Sequence, residues 1–223
     1  MWTTDPDLLG VVVWSPGRRT HLPPGQLLDG LRAALEGGLR TLLLREPDRS
    51  EEEVSGICLR LAPALKAAAG ALLLHGQSGG GALDSGLVPK PWVRELVSAG
   101  VVHGLHLPTV GPPGDQVALA WQRATSTECA QSRSVHSQQE LDHVQRESAW
   151  GGGGSHPVFA FLSPVLPTRS HPEGPFLGVP RARQLTVEAR LPTVWLGGLT
   201  AQNAGAWDHC PAAGIADLGA YWD

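Results

Sequence analysis

The sequence predicts an α/β protein built as a single (β/α)8 TIM barrel, and three features of its 223 residues carry that expectation. Short apolar runs recur along the whole length, helical patterns fall between them, and the length suits one such barrel. The runs are continuous rather than alternating, as in parallel strands covered on both faces. One domain over residues 1–223 is therefore expected. A doubly wound open sheet is the competing fold, but no GxGxxG follows the first apolar run.

LLGVVVW (8–14) opens the series of strands. Residues 26–36 then place Leu27, Leu28, Leu31 and Leu35 at helical spacing, and Gly37-Gly38 ends the pattern. After LRTLLLRE (39–46), Ser50 stands three residues before Glu53, a capping box that leads into VSGICLRLAPALKAAA. Glu51, Glu52 and Glu53 suit the first turn of that helix, where the dipole favours carboxylates. GALLLH (70–75) is the next strand, and the glycine-rich residues 76–86 after it read as a mobile loop. A helix over 91–99 leads to VVHGLHL (101–107), and SRSVHS (132–137) leads to a helix over 137–148. GGGGS (151–155) then joins to PVFAFLSP (157–164). Helices over 180–189 and 200–208 flank TVWLGG (193–198), and AGIADLG (213–219) is the last strand.

Composition removes several classes of function. Hydrophobic residues make up 42% and charged residues 17%, enough apolar material for a core and too little charge for disorder. The net charge of −4, with scattered basic residues, argues against nucleic acid or an anionic membrane as partner. No apolar run approaches the roughly 20 residues of a membrane span, and MWTTDPDLLG is not patterned as a signal peptide. Cys58, Cys129 and Cys210 form neither a disulfide framework nor a zinc spacing, so a reduced cytoplasmic protein is expected.

In a barrel, chemistry sits just after each strand on the C-terminal face. Those positions hold Arg45 and Glu46, His75, His106, His136, the cluster Thr168, Arg169, Ser170 and His171, Gly197-Gly198, and Asp217 to Gly219. Gly197 and Gly198 would let backbone N–H groups approach an anion, and Leu218-Gly219 opens toward a terminal helix, so a phosphate site is expected there. The plainer alternative is that the two glycines only ease a tight turn. His136 is the acid–base candidate, because imidazole titrates near neutral pH; the alternative is that it caps the following helix. Arg45 and Glu46 are either a salt-bridged pair or an anion clamp beside a proton acceptor. His103 and His106 stand three apart on a strand and point to opposite faces, and no carboxylate accompanies them, so no metal site is expected.

LLLREPD, GLHLP, SVHS, FLSPVLPTRSHPEGPFLG and LPTVWLGGLTAQNAGAWDHCPAAGIADLGAYW together resemble the thiamine-phosphate synthase / thiazole tautomerase (TenI-like) family. The resemblance implies a (β/α)8 barrel of thiamin biosynthesis that binds a thiazole phosphate at Gly197, Gly198, Leu218 and Gly219. It divides into two activities. The synthase joins a pyrimidine pyrophosphate to the thiazole phosphate with magnesium. The tautomerase moves a proton on a carboxythiazole phosphate without metal.

Departures from the synthase pattern favour the second activity. Pro47 replaces the lysine of Arg-Glu-Lys, and His75-Gly76 replace Asn-Asp. HLPTVG carries no carboxylate near Val110, and His171 replaces the lysine that follows Thr-x-Ser or Thr-x-Thr. Pyrophosphate departure needs cations to neutralise developing charge, and most of them are missing. The resemblance therefore implies an isomerase with His136 and Glu46 as catalytic residues. Arg45, Ser134, Thr168, Ser170 and His171 would bind substrate, with no cofactor unless the synthase alternative holds. A barrel that binds a phosphate ligand without turnover is the third reading, and self-association is left open.

Overall fold

The computed structural model describes residues 11–14, 22–150, 158–168, 173–203, 205 and 209–217. Eight parallel strands form the main sheet: β1 (Val11–Trp14), β2 (Thr41–Leu44), β3 (Ala71–His75), β6 (Gly104–Leu107), β7 (Ala130–Val135), β8 (Val158–Leu162), β9 (Thr193–Leu196) and β10 (Gly214–Asp217). The two-residue strands β4 (Leu83–Asp84) and β5 (Val88–Pro89) pair separately and antiparallel. Neighbours in the main sheet run β1-β10-β9-β8-β7-β6-β3-β2. Because β1 also pairs with β2, Val12 opposite Thr41, the sheet curls round onto its own first strand.

Among the described residues six of the strand-to-strand connections carry an α-helix: α1 (Pro24–Glu36), α2 (Glu51–Ala68), α3 (Pro91–Ser98), α4 (Gly114–Thr125), α5 (Gln138–Trp150) and α6 (Val179–Glu188). The connection from β9 to β10 contains a 3-10 turn at Ala201–Asn203. The protein is thus an α/β fold with a curled, all-parallel sheet. Among the described residues no helix is long and apolar enough to cross a membrane.

The core has three parts, and strand alternation creates them. Leu42, Leu44, Leu72 and Leu74 face outward and pack against α1, α2 and α3. Leu43 and Leu73 face inward and meet Ala130, Phe159, Phe161, Val194 and Ala216 along the axis. On the far side, Ala160, Leu162 and Trp195 pack with Leu141, Val144, Ala182 and Leu185 from α5 and α6. Each such side chain stabilises by roughly 1.5–3 kcal/mol when fully buried. Trp121 and Trp195 are wholly buried, and their indole N–H groups are satisfied by Thr127 and Thr186 hydroxyls.

The expected capping box is present. Ser50 Oγ accepts from the Glu53 N–H at 3.1 Å, and a Glu53 carboxylate oxygen accepts from the Ser50 N–H at 2.9 Å. Two features differ from expectation. Helix α4 has no counterpart among the helices read from the sequence. The glycine-rich segment 76–86, expected as a mobile loop, is instead a packed turn followed by the β4–β5 ladder. Ser78 and Ala82 are fully buried in it, and Gly79 sits at φ +62° with the Trp92 ring where a Cβ would lie. The 151–155 linker and the end of the expected 200–208 helix lie outside the described residues.

Candidate active site at the C-terminal mouth

The C-terminal ends of β3, β6, β7 and β8 converge on a small polar cluster set into the apolar axis. His75 ends β3, and its Nδ1 accepts the Gln77 N–H at 3.2 Å. His106, from the paired position on β6, is fully buried, with its ring 5.2 Å from that of His75 and edge-on to Phe161 at 5.3 Å. From β7, Ser132 Oγ lies 2.9 Å from His106 Nδ1, and Ser134 Oγ lies 3.0 Å from His106 Nε2.

Electrostatics hold both imidazoles neutral. Burial lowers the His75 pKa to about 4, with the Arg45 guanidinium adding to the effect. Burial also carries His106 well below the ordinary range, reinforced by His75, Arg133, Arg45 and His136. A positive charge in that pocket would be cut off from water and would face other cationic groups.

His136 follows β7 and stands at the exposed rim. Its Nδ1 lies 2.5 Å from the Ser163 carbonyl oxygen at the end of β8. A carbonyl can only accept, so Nδ1 carries a proton, and in the neutral form of the ring Nε2 is the acceptor. The helix cap is supplied by Ser137, whose hydroxyl accepts from the Glu140 N–H at 3.2 Å. The Glu140 carboxylate in turn receives the His136 N–H. The His136 imidazole therefore serves the mouth and not the helix end.

Glu46 is buried on the other parity of its strand end. One carboxylate oxygen is 2.7 Å from Arg49 Nε, and its backbone N–H donates to Ser78 Oγ at 3.0 Å. Arg49 also donates to the Leu22 carbonyl at 2.6 Å, tying three loops together. Arg45 sits half-buried just beyond β2, close enough to act on both buried histidines. His103 lies apart from the mouth, its Nδ1 accepting the Leu72 N–H at 3.2 Å, so the two histidines of VVHGLHL do diverge.

Gly197 and Gly198 sit at φ +99° and +70°. A Cβ on Gly197 would stand 2.9 Å from Pro164 Cβ, and one on Gly198 would stand 2.4 Å from the Pro167 carbonyl oxygen. The segment after β8 lies directly against them, with the Val165 N–H donating to the Leu196 carbonyl and the Leu166 N–H to the Gly197 carbonyl. These glycines are thus needed for close backbone approach within the protein. Among the described residues their own N–H groups donate to no partner. Thr168 is half-buried beside Gly197. Ser170, His171, Leu218 and Gly219 lie outside the described residues.

Sequence reading placed His106 at the mouth without giving it a role, and it gave none to Ser132 or Ser163. The signal for the first two was present: GLHL sets one polar residue in an apolar strand, and AQSRSV puts Ser132 and Ser134 at alternate positions on one face. A backbone acceptor such as the Ser163 carbonyl has no sequence signature.

Magnesium takes oxygen ligands and favours carboxylates. At the positions where a synthase would hold it, this chain presents the His75 imidazole and the HLPTVG segment, whose Thr109 hydroxyl already donates to the Ser134 carbonyl. Among the described residues no group of three or more His, Cys, Asp or Glu side chains is arranged to hold a metal ion. The described residues do not fit that ion.

Comparison with known proteins agrees with the architecture. A family model described as thiamine monophosphate synthase matches residues 94–220, more than half of the chain. A curated protein of Aquifex aeolicus (strain VF5), named "Putative thiamine-phosphate synthase 2", is 23% identical over 191 residues, covering 86% of this chain and 87% of that one. Among solved structures, thiamine phosphate pyrophosphorylase from Pyrococcus furiosus superposes with a TM-score of 0.68 at 17% identity, covering 96% of this chain and 87% of that one. The 3-dehydroquinate dehydratase of Geobacillus kaustophilus HTA426 gives 0.57 at 16% identity, with 95% and 82% covered. At such identities the structural matches speak for the fold alone.

Proposed function

Because the chain belongs to the thiamine monophosphate synthase family, we propose that it is a complete (β/α)8 barrel that binds a thiazole phosphate and acts as a metal-independent thiazole tautomerase. The observation that carries this reading is the fixed tautomer of His136. With Nδ1 donating to the Ser163 carbonyl, Nε2 is left to take a proton from the carboxythiazole phosphate and return it to another atom of the same molecule. The reaction is then a proton shift with no net change in charge or composition, which asks for a positioned base and no metal.

The other groups take supporting roles in this reading. Arg45 pairs with the substrate carboxylate. The N–H groups of Gly197 and Gly198, with Leu218 and Gly219, receive the phosphate. Thr168, Ser170 and His171 lie over the substrate and exclude water. Glu46, expected as a second catalytic group, would act through Arg49 by fixing the loop that carries Arg45.

In heavy water the purified chain should convert the carboxythiazole phosphate tautomer without added metal, and solvent deuterium should enter the product. His136→Ala should abolish both signals. Full activity in that variant would contradict the assignment of His136. The name of the Aquifex relative supports a second reading, a synthase working through substituted groups. It requires magnesium dependence and release of pyrophosphate.

A further inference from the structure

His106 touches two serine hydroxyls, and its surroundings decide which way each hydrogen bond runs. The ring is fully buried, and burial with the neighbouring Arg45 and Arg133 charges keeps it neutral. A neutral imidazole has one donor and one acceptor nitrogen, so one serine must donate to it and the other must accept. Ser132 decides which. It is wholly buried, and His106 Nδ1 is the hydrogen-bond partner found for its hydroxyl among the described residues. If Nδ1 carried the proton, the Ser132 O–H would be left without an acceptor in an apolar interior, a cost of about 1–3 kcal/mol. Ser132 therefore donates to Nδ1, and the proton sits on Nε2.

The consequence passes to Ser134. Its oxygen, 3.0 Å away, accepts from Nε2–H. Its own hydroxyl proton is then turned away from the ring. Ser134 is only partly buried, and it stands one register step nearer the mouth than Ser132, opposite Phe161. Its carbonyl is pinned by the Thr109 hydroxyl at 2.6 Å, which fixes the strand end that carries it.

We infer that His106 is a positioning residue: locked by Ser132 into its Nε2–H tautomer, it presents Ser134 to the mouth as a hydrogen-bond donor for an anionic or lone-pair acceptor of the substrate. The tautomer follows from the burial of the ring and its two serine hydrogen bonds, whatever the substrate. The donor role rests on the proposed thiazole phosphate reading. A substrate with a carboxylate, a phosphate and a ring nitrogen offers only acceptors at those points, and an acceptor-oriented Ser134 would repel each of them.

The two layers can be tested separately. Histidine imidazole 15N spectra of the ligand-free chain, with the His106 signals assigned by their loss in His106→Gln, should show Nε2 protonated and Nδ1 bare near neutral pH. A protonated Nδ1 overturns the proposal. Ser132→Ala removes a hydroxyl buried beneath the mouth, and it should release the tautomer preference. It should also raise KM for the carboxythiazole phosphate about tenfold, and Ser132→Thr should restore both spectrum and KM. An unchanged KM in Ser132→Ala and in Ser134→Ala, beside normal turnover of the unaltered chain, rejects the donor role. An inactive unaltered chain with the expected spectrum would count against the tautomerase reading and leave the tautomer assignment standing.

Discussion

His106 and His136 belong to one mouth and differ in almost every physical respect. His106 is sealed in the axis with both ring nitrogens engaged by serines, and it is held neutral by burial. His136 stands one residue beyond its strand, exposed, with a single nitrogen tied to a backbone carbonyl. The difference lies in strand geometry. A histidine inside the ladder inherits the inward face and loses water, whereas one just past the ladder keeps water and can exchange a proton with a ligand. Imidazole identity alone does not tell a base from a positioning group.

The strongest way to break this contrast is to truncate each ring in turn. His136→Ala should lower turnover by roughly 10²–10⁴-fold, the usual contribution of a positioned general base, with little change in the urea midpoint. His106→Ala should instead destabilise the fold by about 3 kcal/mol or more, since it opens a cavity and leaves Ser132 and Ser134 without their partner. Equal losses of stability in the two variants would erase the distinction.

Gly198→Ala probes the packing of the segment after β8. Its Cβ would meet the Pro167 carbonyl oxygen at 2.4 Å from a backbone at φ +70°. A loss of about 3 kcal/mol is expected from strain and overpacking, read by urea denaturation. A neutral outcome would mean the segment after β8 does not press on β9.

Acid sharpens the contrast from the buried side. His75 has a folded pKa of about 4 against an ordinary 6.5, so between those values the unfolded chain binds more protons than the folded one. Stability should therefore fall as pH drops from 6.5 toward 4, by about 3 kcal/mol from His75. His106 and His103 shift in the same direction and add to the loss. Urea midpoints across that range, compared with those of His75→Asn, would check it, and a flat profile would mean the pocket is wet. The smallest effect should come from Ser50→Ala, about 1 kcal/mol from the lost cap. Turnover should not change in that variant.

How far the sequence could be read follows the same physics. The continuous apolar runs and the Ser50–Glu53 box are local signals, and both appear where expected. Helix α4 was passed over although VALAW (117–121) is an apolar run; its buried face is short, only Val117, Ala118 and Trp121. Segment 76–86 read as mobile from its glycines, yet Gly79 packs closely under Trp92. In the site, His136 was legible from its place after a strand. What fixes its tautomer was not, since it is a carbonyl on a neighbouring strand distant in sequence. Gly197 and Gly198 were read as a phosphate loop, and the structure adds a packing role through Pro164 and Pro167.

The most direct measurement is a paired turnover assay on one purified sample. One arm holds the carboxythiazole phosphate tautomer without metal, and the other holds the aromatic thiazole phosphate, pyrimidine pyrophosphate and magnesium. The expected result is a proton shift in the first arm, lost in His136→Ala, and no pyrophosphate in the second. Release of pyrophosphate in the second arm, with the first arm silent, would contradict the tautomerase assignment and establish synthase chemistry through substituted residues.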